Sequence, residues 1–111
     1  MTSQYNANYL ETMPFSDTCV QVSVELGAPQ SITVPGANNM AYQAYFEYNL
    51  DSNVYVGLNK TPTTPTAGST SAQQYVEFKP KKRYVRGGDV LNFATPDANA
   101  YFGISFRQIQ G

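Results

Sequence analysis

The sequence predicts an all-β protein: an eight-stranded antiparallel β-sandwich of jelly-roll or Greek-key type, preceded by an extended N-terminal arm. Three observations carry that expectation. Short apolar runs alternate with polar residues at period two, as half-buried strands require. Clusters of Gly, Pro, Asn and Asp punctuate those runs. The apolar content is weighted toward Val, Ile, Tyr and Phe, which suit a pleated surface, and 14% of the chain is aromatic.

Residues 1 to 16 are polar and aperiodic, with isolated Tyr5, Tyr9, Leu10, Met13 and Phe15. Alone, such a segment cannot bury enough apolar area to offset its ordering entropy. It reads as an arm that packs across its own sheet or a neighbouring subunit, or else as a loose terminus. Residues 17 to 111 form the single β-sandwich domain.

In the first strand, Thr18 to Leu26, Val20, Val22, Val24 and Leu26 share one face, opposite Cys19, Gln21, Ser23 and Glu25. Gly27-Ala28-Pro29 ends it. Gln30 to Val34 is a short second strand with Ile32 and Val34 inward, stopped by Pro35-Gly36. Met40 to Leu50 is the third, with Met40, Tyr42, Ala44, Phe46, Tyr48 and Leu50 on one face. Its aromatic density and the preceding Asn38-Asn39 favour strand over helix. Asp51-Ser52-Asn53 then turns the chain into Val54 to Leu58, read as a hairpin partner of the third strand. Asn59 to Ser71 is a Thr- and Pro-rich loop, extended and solvated. Gln73 to Phe78 is the fifth strand and Lys82 to Val85 a short sixth. The run from Tyr84 to Ala94, punctuated by Gly87-Gly88, holds the seventh. Ala100 to Arg107 is the eighth, with Phe102, Ile104 and Phe106 facing one way.

Composition narrows the chemistry. With 111 residues the chain is long enough for one domain with a real core. Its charged fraction, 14%, is below the roughly 25% of ordinary soluble domains, a surface suited to packing against other protein. Histidine is absent, which removes the usual general base and the commonest metal ligand. Cys19 is the sole cysteine, so no intrachain disulfide is possible; a lone thiol in a strand reads as a small packing residue. No apolar run is long enough for a transmembrane helix. No basic segment followed by an apolar stretch marks a signal peptide, so synthesis and folding in a cytosol are expected.

The one charge cluster, Lys79 to Arg86, holds five of the seven basic residues. Phosphate contact is one reading, with Tyr84 available for stacking. A net charge of −1 lacks the electrostatic footprint of a nucleic-acid binder, which favours an edge strand guarded by lysines or a protein-docking edge. Asp51-Ser52-Asn53 and Asp97-Ala98-Asn99 offer oxygen ligands for calcium, yet both residue types are standard turn formers, and the turn reading is preferred. Gly87-Gly88-Asp89 is read as a tight turn and not as an anion cradle, because no helix follows. The Asn59-Lys60-Thr61 sequon is taken as chance. Without histidine, and with carboxylates scattered singly, neither a nucleophile–base pair nor an acid–base pair can be assigned. No enzyme activity, cofactor or metal is expected.

Several stretches together resemble small virion structural proteins of tailed bacteriophages. They are Ser52 to Asn59, the Thr/Pro loop, Gln74 to Pro80, Arg86 to Asp97, and Tyr101 to Arg107. The resemblance spans roughly residues 52 to 109 and rests on turn chemistry and an aromatic last strand. It implies a capsid decoration or cement protein located in the virion and assembled in host cytoplasm. Its partners would be capsid protein and itself, as a homo-oligomer with a trimer favoured, and neither membrane nor nucleic acid. On that reading the contact residues are Tyr5, Tyr9 and Phe15 of the arm and Lys81, Lys82, Arg83 and Arg86 of the basic edge. A carbohydrate- or receptor-binding module in a tail or fibre is the alternative, with Tyr45, Tyr55 and Tyr101 as candidate stacking residues.

Overall fold

The computed structural model describes residues 16–109, and eight strands and no helix occur among them. The strands are β1 (Thr18–Glu25), β2 (Gln30–Thr33), β3 (Ala41–Tyr48), β4 (Tyr55–Leu58), β5 (Val76–Phe78), β6 (Lys82–Arg86), β7 (Val90–Ala94) and β8 (Asn99–Gln108). They form two four-stranded antiparallel sheets, ordered β1-β8-β3-β6 and β2-β7-β4-β5, that pack as a sandwich. The pairs β1·β8, β2·β7, β3·β6 and β4·β5 are nested, like one long hairpin rolled up on itself. That nesting is compatible with a jelly roll.

Because the two sheets share the strands in this way, only the β4–β5 connection stays within a sheet. The expected hairpin between the third and fourth strands is therefore corrected. β3 pairs with β8 and β6, whereas β4 pairs with β7 and β5, so Asp51-Ser52-Asn53 carries the chain from one sheet to the other. The Gly87-Gly88 turn likewise crosses between sheets. Gly88 has φ 89°, and a Cβ on Gly87 would collide with the Ala37 carbonyl oxygen, so glycine is required there for close backbone approach. The long loop after β4 is mostly exposed, as expected, but it is pinned. Pro62 is buried, and the Gln73 side-chain amide bonds both the N–H and the C=O of Thr63, each at 2.8 Å.

Alternation decides the core. Val22 and Val24 of β1, Tyr42, Ala44 and Phe46 of β3, Val56 of β4, Val85 of β6, Leu91 and Phe93 of β7, and Ala100, Phe102, Ile104 and Phe106 of β8 all turn inward. Phe93 and Phe102 meet across the sheets at 5.0 Å in an edge-to-face contact, a geometry the ring quadrupoles favour. Both expected faces end one step early. Leu26 and Leu50 lie past the last paired residues of β1 and β3, in turns, and are 60% and 91% exposed. The packing role expected for Cys19 is also corrected. It is exposed, on the same outward parity as Gln21 and Ser23, because Val20 and Val22 take the inward positions.

Two residues on the same predicted face of the third strand should therefore respond very differently to truncation. Phe46→Ala is expected to cost about 3–5 kcal/mol in urea unfolding. Leu50→Ala is expected to cost under about 0.5 kcal/mol. Equal losses would contradict the boundary placed at Tyr48.

Candidate interaction surface

β6 ends one sheet and β5 ends the other, and the two edges border the same open flank of the sandwich. The Arg83 guanidinium closes on the Glu77 carboxylate across that gap, with its Nε donating to Oε1 at 2.9 Å. Beneath the pair lies a cleft of about 120 Å³, whose apolar wall includes Phe46, Val56, Leu58 and Leu91. Tyr75 and Tyr84 line its mouth and are 67% and 64% exposed; Phe78, 51% exposed, turns to the outer side of β5, away from the cleft, and packs on Tyr55. Exposed aromatic side chains at the mouth of an apolar cleft are unusual unless something docks on them.

β5 is held in an irregular frame. Tyr75 on one side of it and Lys79 on the other adopt left-handed backbone, φ 61° and 49°, a region that bulky side chains disfavour. The bonds Leu58 N–H to Tyr75 O and Lys79 N–H to Val54 O, both 2.9 Å, hold these conformations in place. Next along the chain, the Tyr48 hydroxyl donates to the Pro80 carbonyl at 2.6 Å, and the Lys79 ammonium sits 5.7 Å from the Tyr48 ring centre. Burial pushes the Tyr48 hydroxyl far above its ordinary range, so it stays a neutral donor.

The basic residues singled out from the sequence gather on this flank but do different things. Lys82 lies 5.8 Å over the Tyr45 ring, Arg83 is engaged by Glu77, and Lys81 and Arg86 are exposed. The hydrogen bond from Arg83 holds the Glu77 carboxyl below its ordinary value, and the same bond raises Arg83. Tyr5, Tyr9 and Phe15 lie outside the described residues. Tyr45 and Tyr101 share the outer face of the β1-β8-β3-β6 sheet, where Tyr45 pairs with Ser105, four residues along β8 from Tyr101. A hydrogen bond to Glu47 raises the Tyr45 hydroxyl. Tyr55 belongs to the other sheet, its ring tilted against Phe78 at 4.9 Å, so the three tyrosines do not form one site.

Sequence reasoning did not foresee Tyr75 or Glu77 as part of the surface. Three residues of strand pattern say nothing about which sheet edge they end. The two Asp-x-Asn loops were read separately, and the structure brings them together. The Asp97 carboxylate accepts both the Asn53 N–H at 3.2 Å and its side-chain amide at 2.9 Å; the Thr95 hydroxyl donates to the Asn53 carbonyl at 2.6 Å. These bonds tie one loop to the other, whereas the turn reading expected each Asp-x-Asn pair to close on its own backbone. Among the described residues no group of three or more Cys, Asp or Glu could hold a metal ion. The Asn59 side chain is similarly occupied, accepting the Val90 N–H at 2.8 Å. Asp89 accepts the Arg86 N–H at 3.0 Å within the Gly87-Gly88 turn.

The architecture and this flank define the protein as a small two-sheet β-sandwich with an apolar, cation-rimmed edge. A scan of protein-family models finds no match to the chain, and searches of curated proteins and of solved structures find none either.

The Arg83–Glu77 pair is half exposed, so its contribution is expected to be under about 1 kcal/mol. Since Glu77 is lowered in the folded state, that contribution is whole above the ordinary glutamate range and lost as pH falls through the lowered value. Urea unfolding of Glu77→Gln should differ slightly from wild type at neutral pH and converge with it in strong acid. Asp97→Ala, by contrast, strips two donors of their acceptor and should cost about 1–2 kcal/mol at neutral pH.

Proposed function

We propose that this protein is a non-enzymatic structural module that works by contacting other protein subunits. We further propose that those subunits form a virion shell, on which it serves as a capsid decoration or cement protein. The observation that carries the contact reading is the β5–β6 flank: two sheet edges, an apolar cleft and exposed Tyr75 and Tyr84 at its mouth, rimmed by lysine and arginine. Exposed aromatics with arginine are the composition of binding hot spots. The capsid assignment is supported by the resemblance of residues 52 to 109 to phage virion proteins. In such a role each copy adds buried area at a joint between shell subunits, and repetition around a symmetry axis turns weak contacts into high avidity.

A second reading has one specific observation in its favour. The Tyr55–Phe78 ring pair borders a hollow also lined by Ser69, Thr70, Ser71 and Gln73, an aromatic platform beside hydroxyls and an amide that a sugar could use.

Co-sedimentation with capsid shells tests the first reading. Tyr84→Ala combined with Lys81→Gln, Lys82→Gln and Arg86→Gln is expected to lower shell binding by at least about tenfold. Undiminished binding by this variant, with the fold intact by circular dichroism, would sink it. Glycan arrays test the second: saturable binding lost in Tyr55→Ala would transfer the function to the hollow.

A further inference from the structure

We propose that the two flanks of the sandwich are halves of one contact, so that the β5–β6 flank of one copy docks on the β1–β2 flank of a second copy, head to tail. The inference deepens the contact-module reading and rests on it, naming the chain itself as a partner.

Strand polarity permits it. Each sheet has four alternating strands, so its two outer strands run antiparallel to each other. A second copy set beside the first by translation across the strands brings β6 antiparallel to β1 and β5 antiparallel to β2, continuing both sheets. The two edges overlap in a staggered register. Thr18 pairs with Phe106, Phe106 with Ala44 and Ala44 with Arg83, and Cys19 reaches Lys82 through Ser105 and Tyr45, so the start of β1 shares rows with the start of β6 and the rest of β1 runs on past it.

The edges differ in how they are guarded. β1 is eight residues long, has no proline or lysine, and bears one charge, Glu25, at its end. Long edges of this kind are ready templates for a further strand. β6 is its opposite, with Lys82, Arg83 and Arg86 in five residues and Lys79 and Lys81 just before. No lysine or arginine precedes Lys60 in the chain, whereas exposed Asp17 precedes β1 and exposed Glu25 ends it. Cationic β6 edges repel one another, and the acid-bearing, cation-free β1 edge attracts them. Both flanks also carry accessible apolar surface: half-buried Val20 and Ile32 and exposed Leu26 on the β1–β2 flank, and the cleft bounded by Tyr75 and Tyr84 on the other. A contact between unlike patches is heterologous, so it closes into a ring or runs on as a filament.

Sedimentation velocity on the purified full chain, over a concentration and salt series, tests this with charge-reversed edges. One variant carries Lys81→Glu, Lys82→Glu and Arg86→Glu; the other carries Asp17→Lys and Glu25→Lys. Because Asp17 also accepts the Gln108 N–H at 2.7 Å, Glu25→Lys alone is run in parallel, with thermal unfolding to verify each fold. Wild type is expected to associate in a salt-weakened manner. Each variant alone should associate at least about tenfold more weakly, and the mixture of the two should recover association. A monomeric wild type at the highest soluble concentration overturns the proposal, as does a mixture that stays monomeric. Wild-type association of the β6 variant alone also overturns it, since that is the outcome of β1 pairing with β1. Shell binding by a monomeric wild type would leave the contact-module reading standing while this inference fails.

Discussion

The edge-to-face contact of Phe93 with Phe102 joins the two sheets at their interior strands, β7 and β8, and the rest of the sandwich is arranged around that junction. Each ring is buried because its neighbours along the strand alternate outward, and a one-residue slip would reverse every side chain on that strand. β8 is paired along its length with β1 on one side and β3 on the other, so its register sets theirs. The nested pairing then follows. With β7 and β8 in the middle, the strands that end each sheet are β1 and β2 on one flank and β5 and β6 on the other. Among the described residues, sheet edges on both flanks are a consequence of closing the core with two small sheets instead of a barrel.

What makes one flank a candidate surface is the way it departs from the rules that hold in the core. Between Tyr75 and Lys79, both in left-handed backbone, β5 has room for only three strand residues. The strain is sustained by backbone bonds to β4 and to Val54, and it leaves Tyr75 and Phe78 facing outward. Half-buried Tyr48, bonded to the Pro80 carbonyl, anchors the turn that follows and keeps the lysines beside it at the rim. Aromatics and cations are thus presented together on a rigid support, an arrangement suited to protein contact.

Much of the fold was legible in residue order. The inward sets of β1, β3 and β8 follow from alternation alone, since Val22, Val24, Ala44, Phe46, Phe102, Ile104 and Phe106 lie where period two puts them. Gly88 was legible as a positive-φ turn residue. Legibility stopped at element ends and at partner choice. Leu26 and Leu50 continue the apolar alternation by one step, yet the chain has already left its ladder there. Asp51-Ser52-Asn53 has the composition of a hairpin turn, and its role in crossing between sheets depends on β8 having taken the place beside β3. The basic edge was visible as a cluster, whereas Tyr75 and Glu77 join it only through the meeting of two edge strands.

By itself the sequence determined the class of fold, the strands, most of the core faces and the gathering of cations on one short segment. These are local properties, set by periodicity, turn chemistry and charge along the chain. Tertiary structure alone decided which strands are neighbours, which strands end the sheets among the described residues, and that Asp97 reaches Asn53 and Arg83 reaches Glu77. The reason is physical: pairing and docking join residues far apart in the chain, and turn composition constrains the bend without naming the strand that comes to lie beside it.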